Sequence, residues 1–341
     1  MLDIDKNTVD FLVTDNMVTE VKTVMERDFP KLKKIVDQMI ERKIERVYYV
    51  ACGSPLCACQ TAKMVFEKYS DVPCEAYSGW DFLDHTPKKL DEKCIVVGVS
   101  HYGKTNEVAD SLIKASEAGA ITVGVTRDAV GNPVSDAAEH VIAYAAECIW
   151  EIHLLITFYI ALDYINRIDN NENVKQILAD LKKLPNVLAR LVKTSEDKSR
   201  ELGEKASKWP FIYTVAAGPL RPLSYKEGII TMLEFTWTHG CQLNSAEFRH
   251  GPLEVVEKGV PYVFMLGTDE SRHTTERTIN FVKKLTDDYI IFDYAEISNG
   301  LHPMLAPFVL FVPLEYFYYY LSISKDHNPD DRRYYGGLMP Y

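Results

Sequence analysis

The stretch VYYVACGSPLCACQTAKMVFEKY, beginning at Val47, is echoed by IYTVAAGPLRPLSYKEGIITMLEF, beginning at Ile212. In both, an aromatic-containing apolar run reaches a glycine, passes through a short loop and enters a helical pattern. Val-Ala-Cys-Gly at 50–53 and Val-Ala-Ala-Gly at 215–218 stand 165 positions apart (215 less 50). Further on, Ser78-Gly-Trp-Asp-Phe is matched by Ser245-Ala-Glu-Phe. A repeat this long marks a duplicated domain rather than a solenoid period. The chain must therefore build one plan twice within 341 residues.

That plan is α/β. Apolar runs at Val47–Ala51, Cys74–Tyr77, Cys94–Val99, Ile121–Val125 and Val141–Tyr144 read as strands, and Leu56–Tyr69, Thr105–Ala118 and Ile149–Ile168 as helices. Such alternation predicts a parallel sheet covered on both faces. The expectation is two tandem, doubly wound parallel-sheet domains related by duplication. The first, 1–190, takes in an N-terminal helical segment, and the second, 191–341, takes in a C-terminal tail. The charged, helical stretch from about 170 to 208 is the connector. Near the C-terminus, FVLFVPLEYFYYYLSI (Phe308–Ile323) reads as a core strand followed by an aromatic-rich helix. With Pro313 and Glu315 inside, it reads as too short to span a bilayer comfortably.

A net charge of −11 argues against nucleic acid, which needs clustered Lys and Arg. A small phosphorylated ligand is still allowed, because backbone amides bind phosphate locally. The start, MLDIDKNTVD, lacks the features of a signal peptide. The seven cysteines are odd in number and scattered, as expected of free thiols in a reducing compartment. Together these imply a cytoplasmic protein without a membrane partner. Cys57-x-Cys59 has no second pair or nearby His to complete a zinc set, so no metal is expected. No cofactor is expected either.

The loop with most chemistry is Ser100-His-Tyr-Gly-Lys-Thr105, between an apolar run and a helix. The hydroxyls of Ser100, Tyr102 and Thr105 surround Gly103. The helix start beside them offers unpaired N–H groups and the positive end of its dipole. A phosphate fits there. Gly53 and Ser54, at the end of the first strand, can add a hydroxyl from the side, as ligands gather at strand carboxyl ends in such sheets. Thr105 alone reads equally as a helix cap. The second half has no such hydroxyl loop; its counterpart, VFMLGTDESRHTTER, is charged. One phosphate site per chain is expected.

The second informative stretch is KEGIITMLEFTWTHGCQLNSAEFRHGPLEVV. Helical spacing puts Ile229, Ile230, Leu233 and Trp237 on an apolar face. Glu227, Thr231, Glu234 and Thr238 form a narrow polar stripe without the basic residues that solvated stripes usually carry. Glu234 lies toward the C-terminal end of that helix, where dipole and burial both raise a carboxyl pKa. It is a candidate proton shuttle, or a surface carboxylate. His250 precedes Gly-Pro in a tight turn, where a lone His is more often structural than catalytic. Glu247 reads as scaffold, like its repeat partner Asp81.

The duplicated plan, the Ser54 strand end, the SHYGKT loop and SAEFRHGP together resemble the sugar isomerase (SIS) family of phosphosugar-binding proteins. The likeness covers nearly the whole chain, which looks like the tandem-domain subgroup that includes the isomerase half of glucosamine-6-phosphate synthase and the fructosamine-6-phosphate deglycases. The resemblance implies that Gly53, Ser54, Ser100, His101, Tyr102 and Thr105 hold a sugar phosphate. It implies that Glu234 moves protons between C1 and C2, and that His250, sixteen residues later, helps open the ring. It also implies a homodimer or higher homo-oligomer with active sites at the subunit interface, His250 reaching the neighbour's site.

Two synthase lysines are missing. Thr231 stands three residues before Glu234, and the tail DHNPDDRRYYGGLMPY has Gly336 or Gly337 near the other. ECIWEIHL, from Glu147, stands where the family often has Ser-Thr-Lys. The resemblance therefore points to a deglycase that hydrolyses 6-phosphofructosyl amines to glucose 6-phosphate and a free amine. Alternatives are an aldose–ketose isomerase, a deaminase or aminotransferase-type enzyme, and a non-catalytic phosphosugar sensor. The partner expected in each is a phosphorylated sugar or sugar-amine.

Overall fold

A computed structural model describes residues 1–334 and 339. The tail glycines Gly336 and Gly337 lie outside the described residues. The chain forms two compact units, Asn16–Pro185 and Met1–Asp15 with Asn186–Tyr341. The sequence reading set the division at 190 and left the first fifteen residues with the first domain. They pack in the C-terminal unit: Leu2 N–H donates to Ile323 O at 2.8 Å, and Phe11 lies between the rings of Tyr316 and Tyr319.

In the unit Asn16–Pro185, five strands form one parallel sheet. They are β1 (Arg46–Ala51), β2 (Cys74–Tyr77), β3 (Cys94–Val99), β4 (Ile121–Thr126) and β5 (His140–Ala143), in the order β2-β1-β3-β4-β5. β3 and β4 are buried along their whole length, so both faces are covered and the strands read as unbroken apolar runs. On one face Tyr48, Val50 and Val96 pack with Phe82, Val108 and Leu112. On the other, Tyr49 OH donates to Thr157 O at 3.0 Å, tying β1 to the helix Ile149–Asp169. β1 hands the chain to β2 on one side while β3 lies on the other, which makes the β1/β3 boundary the topological switch point.

The second unit repeats the order with one strand fewer. β6 (Phe211–Ala216), β7 (His239–Asn244), β8 (Tyr262–Leu266) and β9 (Tyr289–Asp293) are parallel in the order β7-β6-β8-β9. The duplication extends to backbone detail. Gly53 after β1 has φ +64°, and its counterpart Gly218 after β6 has φ +53°, a region glycine enters without steric cost. A Cβ on Gly218 would sit 2.4 Å from Ser271 Oγ, so close packing as well as the dihedral requires glycine there. Phe82 and Phe248, the repeat-related aromatics, each join the core of their own unit.

One expectation fails in the tail. Phe308–Ile323 is not a strand and a helix; it lies in the single helix Ala306–Ser324, with Pro313 inside. That helix is apolar and long enough to cross a membrane by composition, and it is fully buried here. A segment buried on every side has no periodicity to separate helix from strand. Pro313 removes one backbone bond, a cost of about 3 kcal/mol that burial of so many large side chains outweighs. The connector is three helices, Glu172–Leu181, Leu184–Thr194 and Glu196–Ala206.

Candidate active site

In the first unit, Gly53-Ser54 and Ser100–Thr105 leave the carboxyl ends of adjacent strands, since Ala51 of β1 pairs in register with Val99 of β3. The two loops singled out from sequence are thus neighbours at the switch point. Ser100 and Thr105 face each other across the loop, their hydroxyl oxygens 2.9 Å apart. Thr105 is the N-cap residue of the helix Asn106–Glu117, but its side chain makes no capping bond. Simple capping therefore does not account for it. Its hydroxyl and that of Ser100 stand beside a helix start whose first N–H groups have no partner within the helix. Gly103 has φ +64°, and a Cβ there would lie 1.8 Å from Asn132 Oδ1, so the loop closes only with glycine. Tyr102 and Lys104 are exposed, and Ser54 is half-buried as the first helical residue after Gly53.

His101 is placed differently from its neighbours. It is buried, and its Nδ1 lies 2.6 Å from the Tyr144 hydroxyl, which lies 2.8 Å from His153 Nε2. Burial pushes His101 down to about 4, helped by Arg127, and pushes His153 down to about 3, helped by His101. Both imidazoles are neutral at pH 7, so His101 offers the loop a hydrogen-bonding ring rather than a positive charge. At its other edge, His101 Nε2 lies 3.8 Å from Glu147, which also pairs with Arg127. Sequence reading missed Tyr144 and His153. The available signal was a histidine within a largely apolar run, Ile152–Ile156.

In the second unit, Glu234 sits in the short helix Met232–Thr236, which follows a π-helical turn, Lys226–Thr231. Trp237 ends that helix in the left-handed region at φ +47°. Glu234 is half-buried, and burial raises its pKa above the ordinary carboxyl value while Arg332 and Lys226 hold it down. Arg332 Nε, from the tail, lies 4.0 Å from Glu234 Oε2. His250 is exposed in its turn, its N–H bonded to Glu247 O at 2.9 Å, and Gly251 follows at φ +120°. Glu247 is exposed.

The face assignment of this helix is reversed from expectation. Leu233 and Trp237 are exposed and Ile229 and Ile230 only part-buried, while Lys226, Glu227, Thr231, Thr236 and Thr238 are buried. Two causes combine. The π turn breaks the 3.6-residue spacing that the reading assumed. Gly228 is also pressed against β6, where a Cβ would lie 1.9 Å from Thr214 Oγ1, so its neighbours Lys226 and Glu227 turn inward with it.

The repeat-related loop of this unit is closed by its own side chains. Asp269 accepts from Ser271 N–H at 3.0 Å. Arg272, opening the helix Arg272–Val282, forms a two-bond pair with Asp293, each bond 2.8 Å, and donates to Glu276 at 2.7 Å. Among the described residues no group of three or more His, Cys, Asp or Glu could hold a metal ion.

Residues 40–159 match the SIS domain model. The chain is 60% identical to the fructoselysine 6-phosphate deglycase of Escherichia coli strain K12 over 341 residues, all of both chains. It is 28% identical to the fructosamine deglycase of Bacillus subtilis strain 168, covering 86% of this chain and 92% of that one. Its fold also matches the C-terminal domain of glucosamine-fructose-6-phosphate aminotransferase from Francisella tularensis, with a TM-score of 0.79 at 18% identity, covering 96% of this chain and 100% of that one. With its likeness to the Escherichia coli protein running end to end and its switch-point loops intact, the chain belongs to the SIS domain family.

Proposed function

We propose that this protein is a deglycase that hydrolyses fructosamine 6-phosphates to glucose 6-phosphate and a free amine. The observation that carries this reading is the 60% identity, over 341 residues covering all of both chains, to a fructoselysine 6-phosphate deglycase. The Ser100–Thr105 loop holds the phosphate through paired hydroxyls and helix N–H groups, with Gly53 and Ser54 alongside. His250 assists ring opening, which exposes the C2 ketone. Glu234 then removes a proton from C1 while the C2 oxygen gains one, giving a 1,2-enolamine. Returned to C2, the proton leaves an imine between C1 and the amine nitrogen. Water adds to C1 and the C–N bond breaks, releasing the aldehyde sugar and the amine.

The raised pKa of Glu234 suits a group that must hold a proton between two carbons. The substrate brings its own nitrogen, so the chemistry works with Thr231 where the synthase has a lysine. His250 is exposed, which suits a group serving the site of a neighbouring subunit in a homodimer of a cytoplasmic enzyme.

The test is the release of glucose 6-phosphate from 6-phosphofructosyl-lysine by Glu234→Gln and His250→Ala. Full activity in both would remove these roles. Interconversion of fructose 6-phosphate without an amine would indicate an aldose–ketose isomerase instead, and light scattering reads the oligomer.

A further inference from the structure

Behind the helix that carries Glu234, the second unit buries three charged side chains. Lys226 and Glu227 are consecutive at the start of the π turn, and both point inward. Lys226 Nζ donates to Glu227 Oε1 at 2.9 Å and to Glu315 Oε2, from the helix Ala306–Ser324, at 3.5 Å. The same ammonium lies 4.6 Å from the Phe311 ring centroid, which leaves it little access to solvent. The remaining oxygens, Glu227 Oε2 and Glu315 Oε1, are buried without a hydrogen-bond partner among the described residues.

One ammonium cannot balance two carboxylates. An excess charge in such a place is relieved by taking up a proton. Burial pushes Glu227 up to about 7, with Glu315 reinforcing and Lys226 and the Thr231 hydroxyl opposing. The other groups facing it stay neutral: Tyr318, whose hydroxyl burial holds well above its ordinary pKa, and Thr231. From the strands, β6 presents Thr214 against Gly228 and β7 presents Gln242 to Ser224, while His239 and Cys241 of β7 are exposed. On its far side the turn runs directly into Glu234, whose charge feels Lys226 and Arg332.

We propose that Glu227 carries a proton in the folded enzyme, completing a neutral buried cluster with Lys226 and Glu315, and that this proton holds the turn that positions Glu234. Glu227 is thus a positioning residue that touches no substrate. Its loss of the proton at alkaline pH puts an unbalanced charge under the turn, loosens it and lowers turnover. This rests on Glu234 being the proton shuttle.

Glu227→Gln keeps the shape and neutrality of the acid but cannot ionise. In wild type, kcat should fall about tenfold between roughly pH 6 and pH 8.5, while KM changes little. In Glu227→Gln that alkaline limb should be absent. Stability gives a second readout. The folded pKa is raised above the unfolded value, so the native state binds the extra proton and wild type loses stability as pH rises toward 7 and beyond. Its unfolding temperature should drop by roughly 5 °C relative to Glu227→Gln over that range. If the two proteins track each other in both readouts, the proposal is overturned.

Should Glu227→Gln fail to fold, Glu315→Gln decides: it leaves Lys226 and Glu227 as a one-to-one pair and should abolish the same limb. If neither folds, infrared spectra of Glu234→Gln protein decide. A protonated-carboxyl band at about pH 6 that is lost by about pH 8.5 supports the proposal, and its absence overturns it. The Glu234→Gln protein also separates the two readings. It should be inactive yet keep the wild-type pH dependence of unfolding, whereas an active Glu234→Gln would remove the shuttle role without touching the buried proton.

Discussion

The loops after β3 and β8 occupy the same place in two copies of one plan, yet they face opposite ways chemically. Ser100–Thr105 keeps the hydroxyls of its two ends turned toward each other at a helix start, with no side-chain capping bond from Thr105. The loop after β8 spends its helix start on its own Asp269 and locks Arg272 to Asp293. Both begin from a helix N-terminus that attracts negative charge. On the proposed reading the first copy leaves that attraction for a phosphate, while in the second Asp269 accepts from Ser271 N–H at the helix start. Duplication preserved the backbone, down to the positive φ of Gly53 and Gly218, while the loop side chains diverged.

The largest expected effect tests whether the second copy supplies the chemistry. Glu234→Gln should lower deglycase turnover by about 10²–10⁴-fold, the range for a positioned acid–base group. Substrate KM should change far less.

A smaller effect should distinguish the loops themselves. Ser100→Ala removes one hydroxyl donor to a dianion and should raise KM about 10- to 100-fold, from roughly 1.5–3 kcal/mol per hydrogen bond to a charged group. Asp269→Ala, the parallel change in the other loop, should leave KM unchanged. Equal rises in both would break the idea of a single phosphate site.

Next comes stability. Arg272→Ala should destabilise the fold by about 1–2 kcal/mol, a value reduced because the pair is part-exposed. Burial pushes Asp293 up, but the hydrogen bonds from Arg272 overcome it and the net shift is downward. The pair's stabilisation is therefore present above the ordinary unfolded carboxyl value and is lost as pH falls through the lowered one. Unfolding scans of wild type and Arg272→Ala between about pH 7 and pH 3 should converge at the acid end.

A last contrast, within the first copy, is between two glycines at φ +64°. Gly103→Ala meets both the dihedral and Asn132, and should cost about 2–4 kcal/mol. Gly53→Ala meets the dihedral alone, with nothing within 4 Å of the new Cβ, and should cost about 1 kcal/mol. Thermal unfolding measures both.

Legibility followed burial and locality. Strands such as Cys74–Tyr77 and Cys94–Val99 match the structure residue for residue, because short apolar runs bounded by loops have one cheap solution in a covered parallel sheet. The facing hydroxyls of Ser100 and Thr105 were readable because they lie five residues apart on one turn. The tail helix was not, because an all-apolar segment carries no period. Nor was the inward turn of Glu227, since helical spacing was counted through a stretch whose hydrogen bonds run on a longer period.

The amino-acid order alone determined the two-copy α/β plan, most strand positions and the placing of the Gly53-Ser54 and Ser100–Thr105 loops at strand ends. All of these depend on neighbours in the chain or on repetition along it. Tertiary structure alone decided that His101 is a neutral ring joined to Tyr144 and His153, and that Lys226 shares its charge between Glu227 and Glu315. Those pairings join residues up to 89 positions apart, and whether each group is charged depends on the solvent that packing removes.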